Sequence, residues 1–85
     1  MRELRIVYCQ PCGHMRRALQ LGEELLSKYG YELNKDFRLA LEPRDGGVFD
    51  VYADGQLIFS RGKEGRFPEA KELMKAFEET GRRLA

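Results

Sequence analysis

Cys9 and Cys12 are the only cysteines in the chain, spaced C-x-x-C with Gln10 and Pro11 between them. Two thiols at this spacing can close a small disulfide ring and reopen it, exchanging with other disulfides through mixed-disulfide intermediates. The same spacing also serves zinc sites and structural crosslinks, so the surroundings decide between them. A short apolar run, Ile6-Val7-Tyr8, ends at Cys9, and a helical pattern begins soon after Cys12. A dithiol at such a junction puts a sulfur near the unpaired N–H groups and positive end of a helix, which favours the thiolate that exchange requires. Cys9 and Cys12 are therefore the candidate catalytic pair, one attacking and the other resolving.

The neighbours tune this chemistry or merely accompany it. Pro11 fixes φ and removes an N–H donor where the helix is expected to start, which shapes the ring. Gln10 completes the intervening pair. Gly13 permits close approach of a partner backbone or relieves packing. His14, the only histidine, is either a thiolate partner and proton shuttle or a surface histidine at a helix start, the latter being the default. Arg16 and Arg17 either belong to the solvated side of the helix, which is the default, or add positive potential near the thiols or attract glutathione carboxylates, with Arg16 the candidate substrate contact. Gly46-Gly47 forms an ordinary turn or a substrate-contact loop facing the motif. No metal site is expected, because Cys9, Cys12 and His14 supply at most three strong ligands where structural zinc usually takes four. The histidine is also one residue too late for a C-x-x-C-H haem attachment.

With 85 residues the chain is expected to form one domain over residues 1–85. Apolar content of 42% and charged content of 34% are those of an ordinary soluble protein, with no apolar stretch able to span a bilayer. The early charges of Met1-Arg2-Glu3-Leu4-Arg5 argue against a secretory signal, so a cytoplasmic location is expected. In that reducing compartment a dithiol is catalytic or redox-sensing rather than a staple. A net charge of +1, from 15 basic and 14 acidic residues, offers no field for nucleic acid or an anionic membrane. The cluster Arg61, Lys63, Arg66 is broken by Glu64 and reads as a solvated loop.

Alternation of Leu4, Ile6 and Tyr8 predicts a first strand running into Cys9. Met15, Ala18, Leu19, Gly22, Leu25, Leu26 and Tyr29 recur with helical spacing, Gly30 is the expected stop, and Leu21 falls off the stripe as a scattered surface residue or part of a contact site. Phe37, Leu39 and Leu41 mark a second strand, ended by Pro43 and Asp45-Gly46-Gly47. Val48 to Ala53 and Gln56 to Ser60 flank Asp54-Gly55, a dipeptide suited to type I′ hairpins. After a loop from Gly62 to Gly65, Pro68 is suited to a first helical turn, and Ala70, Leu73, Met74, Phe77, Gly81 and Leu84 repeat with helical spacing. The order β-α-β-β-β-α with C-x-x-C after the first strand outlines a thioredoxin-like α/β fold, an α+β sandwich of two main helices on a mixed four-stranded sheet.

Three local marks converge: Ile6-Val7-Tyr8 leading into Cys9-x-x-Cys12, the helix segment Leu19-Gln20-Leu21, and the hairpin from Phe49 to Ser60 with its F-x-V-x-x-x-G-x-L-I-x-S spacing. Together they resemble the selenoprotein W group of the Rdx family, of which this would be an all-cysteine member. The resemblance implies a thiol–disulfide oxidoreductase or redox protein working with glutathione or a thioredoxin-type reductant on a protein or small disulfide, without a bound cofactor. The alternative is a noncatalytic module whose dithiol senses redox state and alters a protein contact. Selenium-containing relatives carry selenocysteine at the position of Cys12, which suggests that Cys12 attacks. The thioredoxin arrangement instead makes Cys9 the exposed attacking sulfur at the helix N-terminus and Cys12, one turn in, the resolver; that second order is the working expectation.

Overall fold

The computed structural model describes residues 1–84, with side chains through residue 82. The chain runs β1 (Arg2–Cys9), α1 (Met15–Glu32), a 3-10 turn (Asn34–Asp36), β2 (Phe37–Arg44), β3 (Phe49–Ala53), β4 (Gln56–Ser60), the single turn α2 (Arg61–Glu64) and α3 (Ala70–Leu84). The strands form one mixed sheet in the order β2-β1-β3-β4, with β1 parallel to β2 and antiparallel to β3. The β1-to-β2 crossover is α1, as a parallel pair requires.

Strand alternation decides which face is covered. Leu4, Ile6 and Tyr8 of β1 align with Leu39, Leu41 and Pro43 of β2 and with Ala53, Val51 and Phe49 of β3. On this face α1 lies over β1 and β2 while α3 lies over β3 and β4, and Leu4, Ile6, Leu25, Phe49, Val51 and Phe77 are fully buried. Burial of that apolar surface is the main stabilising term for so small a chain. The other face holds Glu3, Arg5, Arg38 and Glu42 in an ion-pair ladder in which Arg38 is exposed and the other three are half-buried. No helix among the described residues is long and apolar enough to cross a membrane.

The hairpin forms as expected. Asp54 and Gly55 both take positive φ, 51° and 85°, as a type I′ turn demands, and a bulge at Val51/Tyr52 shifts the β3–β4 register. Four expectations need correction. First, α1 buries Ala18, Leu21, Gly22, Leu25 and Tyr29 while Leu19 and Leu26 stay exposed, so Leu21 is core and not a surface residue. The apolar residues of this helix form two overlapping stripes, and the packed one is rotated from the one chosen by spacing. Second, the helix runs through Gly30 to Glu32, because the positive φ that ends the turn is taken by Asn34 at 51°. Third, Pro43 lies within β2 instead of ending it, which an edge strand allows. Fourth, Arg61–Glu64 is a helical turn closed by Gly65 in the left-handed region, not a loop. The Leu84 side chain of the α3 stripe lies outside the described residues.

Candidate functional site

β1 carries the chain to Cys9 at the sheet's carboxyl-terminal end, and residues 10–14 then form a turn before α1. The Gly13 N–H donates to the Gln10 carbonyl at 3.1 Å, so Pro11 and Cys12 are the central residues of that turn. Gly13 takes φ +81°, and a Cβ added there would meet nothing, so its value is conformational and not relief of packing. Cys9 and Cys12 are joined as a disulfide with a Cα–Cα distance of 5.3 Å.

The two sulfurs occupy opposite environments. Cys9 is 1% exposed: its N–H donates to the Val48 carbonyl at 2.8 Å and its carbonyl accepts the His14 N–H at 3.3 Å. Cys12, like Gln10, Pro11 and Gly13, is exposed. The expectation of an exposed Cys9 at the helix N-terminus with Cys12 buried a turn further in is therefore reversed. The physical reason is that Cys9 remains a strand residue sealed by the loop before β3, and α1 starts only at Met15, three residues beyond Cys12.

The residues on either side of Gly46-Gly47, Arg44 and Val48, bond the motif through their carbonyls. The Gln10 N–H donates to the Arg44 carbonyl at 2.9 Å, and both glycines hold positive φ, 78° and 77°. His14 forms the N-terminal boundary of α1 without a side-chain cap. Its ring packs edge-on against Phe67 at 4.9 Å and Phe49 at 6.2 Å, and Nδ1 is buried without a hydrogen-bond partner among the described residues. It is thus neither a plain surface histidine nor turned back onto a sulfur through that nitrogen. Arg16 is exposed, and the Gln10 side chain makes a long contact from Nε2 to Met15 Sδ at 3.6 Å.

Phe67 and Arg61, which spacing did not single out for the site, gather with Arg17 beside His14. The guanidinium of Arg17 lies 4.1 Å and that of Arg61 4.9 Å from the Phe67 ring centroid. Arg61 Nη1 reaches the Gly47 carbonyl at 3.4 Å, while its Nε is buried and unpartnered. Among the described residues neither Arg17 nor Arg61 is in a salt bridge, and both are in cation–π contact with the ring that packs against His14. The first turn of α1 contains no acidic residue, leaving its positive end uncompensated. Among the described residues no three His, Cys, Asp or Glu side chains converge as metal ligands.

A mixed four-stranded sheet, two helices on one face and a disulfide at the end of the first strand define a thioredoxin-like redox-type domain. The Rdx family model matches residues 3–79, and the chain belongs to the Rdx family. Among solved structures it resembles a selenoprotein W-related protein from Vibrio cholerae, at TM-score 0.80 and 34% identity over 93% of this chain and 95% of that one. A Bordetella parapertussis protein matches at TM-score 0.82 and 35% identity, covering 93% and 96%. Migration and invasion enhancer 1 of Mus musculus is 36% identical over 84% of this chain and 57% of its own length. The Bos taurus counterpart is 37% identical over 86% and 61%. The chain thus spans about three fifths of those curated relatives.

Proposed function

We propose that the chain is a thiol–disulfide exchange protein in which Cys12 is the sulfur that meets the partner and Cys9 resolves. The observation that carries this reading is the contrast between an exposed Cys12 and a Cys9 that is 1% exposed. In the reducing direction the Cys12 thiolate attacks a partner disulfide, forming a mixed disulfide and releasing one partner thiolate. Cys9 then attacks Cys12 Sγ, closing the Cys9–Cys12 bond and releasing the second partner thiol. Two electrons pass to the partner, and a reductant of the glutathione or thioredoxin type returns them by attacking the exposed sulfur. Burial disfavours the anion that an attacking sulfur must carry, which suits Cys9 to the intramolecular step alone, where proximity compensates. The helix start, Arg17 and Arg61 favour a thiolate on the exposed side. The correspondence of Cys12 to the selenocysteine position of selenium-containing relatives supports the same order.

Redox titration followed by mass spectrometry tests the dithiol itself: the pair should interconvert as an intramolecular disulfide within roughly −270 to −180 mV. Thiols that stay free across that range, or only intermolecular dimers, would remove the mechanism. Catalytic turnover of a disulfide substrate separates an enzyme from the second reading, a redox sensor oxidised once per chain.

A further inference from the structure

The sheet ends on one side in β2, whose outer edge is unpaired among the described residues and whose sequence is self-complementary. We propose that β2 pairs antiparallel with β2 of a second copy of this chain across a two-fold axis at Ala40, joining two four-stranded sheets into one.

The backbone identifies which groups are free. Because the Gln10 N–H donates to the Arg44 carbonyl and Cys9 is in parallel register with Arg44, the N–H and C=O groups of Arg38, Ala40, Glu42 and Arg44 point toward β1. Those of Phe37, Leu39 and Leu41 therefore point outward, as does the carbonyl of Pro43. Proline stands where the missing N–H faces the open edge, so it ends the outer ladder without damaging the inner one. Pairing about Ala40 places Leu39 opposite Leu41, each exchanging both backbone hydrogen bonds with its counterpart.

Side-chain charge selects this register over its neighbours. With the axis at Ala40, Arg38 faces Glu42, a pair that occurs twice by symmetry. Moving the axis to Leu41 would set Arg38 against Arg44, and moving it to Leu39 would set Arg38 against Ala40 and lose the opposite-charge pair. Like charges directly opposite are destabilising, and opposite charges stabilise. The cross-pair would also extend ion pairs already present, since Arg38 reaches Glu3 at 3.0 Å and Glu42 reaches Arg5 at 2.7 Å.

On the helical face the same edge borders an apolar groove of about 550 Å³, lined by Leu19, Leu26 and Tyr31 of α1 and by Leu39 and Leu41 of β2. Leu19 and Leu26 are 52% and 45% exposed, and Tyr31 is 85% exposed. A two-fold at Ala40 would set groove against groove, which is what an isologous interface requires: one patch that complements itself. An unprotected strand edge beside exposed leucines is otherwise an aggregation hazard, and closure by symmetry removes it. The dithiols, in register with Arg44 on either side of the axis, would lie at opposite ends of the joint and stay open to partners.

Sedimentation across a concentration series, with amide exchange followed by NMR, tests the proposal. A species of twice the chain mass should appear as concentration rises, and the Leu39 and Leu41 amides should slow with it while the Ala40 amide, already facing β1, does not change. Arg38→Glu sets like charges against Glu42 and should raise the dimer dissociation constant about tenfold. Leu26→Glu, on the exposed face of α1, should weaken the dimer through the groove instead. Circular dichroism of both variants confirms that the monomer remains folded, and the amide readout on the wild type stands without either variant. A monomer at every concentration, or a dimer whose dissociation constant neither substitution changes, would overturn the proposal and leave the edge to a strand from another protein.

Discussion

Two aromatic clusters sit at opposite ends of β1, and they are finished to different degrees. At the end away from the dithiol, Tyr29, Phe37 and Phe77 pack with centroids 4.7–5.7 Å apart. Every polar group among them is engaged: the Tyr29 hydroxyl donates to Glu78 at 2.7 Å, and Arg2, 3.7 Å above the Phe77 ring, donates twice to Asp54 and once to the Phe77 carbonyl. Asp54 in turn accepts the Glu3 N–H at 2.9 Å, tying the hairpin turn to β1. At the dithiol end His14, Phe49 and Phe67 pack similarly, but among the described residues His14 Nδ1 and Arg61 Nε are buried without partners, and Arg17 and Arg61 are in no salt bridge. One cluster is satisfied and holds the fold; the other keeps unpartnered polar atoms at the end of β1 that carries the dithiol, where the proposed exchange would take place.

The largest effect should come from the satisfied cluster. Phe77→Ala removes a fully buried ring and should cost about 3–5 kcal/mol of stability by denaturant unfolding, with the reduction potential of the folded protein unchanged. A shift in potential as large as that of a change beside Cys12 would mean that the two ends are coupled. Next, Asp54→Ala strips Arg2 and the Glu3 N–H of their acceptor and should cost about 2 kcal/mol.

The sharpest contrast is a matched pair. Tyr29→Phe deletes a satisfied hydroxyl and should cost about 1 kcal/mol, whereas His14→Phe deletes an unpartnered nitrogen and should be neutral or stabilising while altering the exchange rate. Burial, then the Glu78 carboxylate, raises the Tyr29 hydroxyl well above the ordinary tyrosine range. Its contribution is therefore intact below pH of about 10 and is lost as pH rises beyond it, so Tyr29→Phe should also flatten the alkaline loss of stability.

The smallest effect lies on the surface at the start of α3. There Arg66 first, and the Glu69 N–H as well, hold the Glu72 carboxyl below its usual range, against the opposing effect of burial. Glu72 should thus stabilise above the unfolded carboxylate value of about 4.3 and less as pH falls below it. Glu72→Gln should lower the thermal midpoint slightly at neutral pH and leave it unchanged in strong acid.

Much of this contrast was legible in the residues. The alternation in β1, the Asp54-Gly55 turn and the C-x-x-C at a strand end each follow from local chemistry, and they place the dithiol at the rim of the sheet. The order of burial of the two cysteines was not legible, because it depends on Val48, a residue 39 positions from Cys9 that caps its N–H from another strand's approach. Arg17, Arg61 and Phe67 converge only after the chain has crossed the sheet, so no spacing brings them together. Leu21 was misplaced for a different reason: α1 has enough apolar residues for two stripes, and only the tertiary contact with the sheet selects one.

The division of labour between the sulfurs is tested most directly by alkylating the fully reduced wild type with limiting iodoacetamide and locating the adduct by peptide mass spectrometry, alongside mixed-disulfide trapping in the Cys9→Ser and Cys12→Ser variants. Cys12 should carry nearly all of the early adduct near neutral pH, and Cys9→Ser should accumulate the mixed disulfide through Cys12 because its resolver is gone. Early adduct on Cys9, with trapping confined to Cys12→Ser, would contradict the assignment and restore Cys9 as the attacking sulfur.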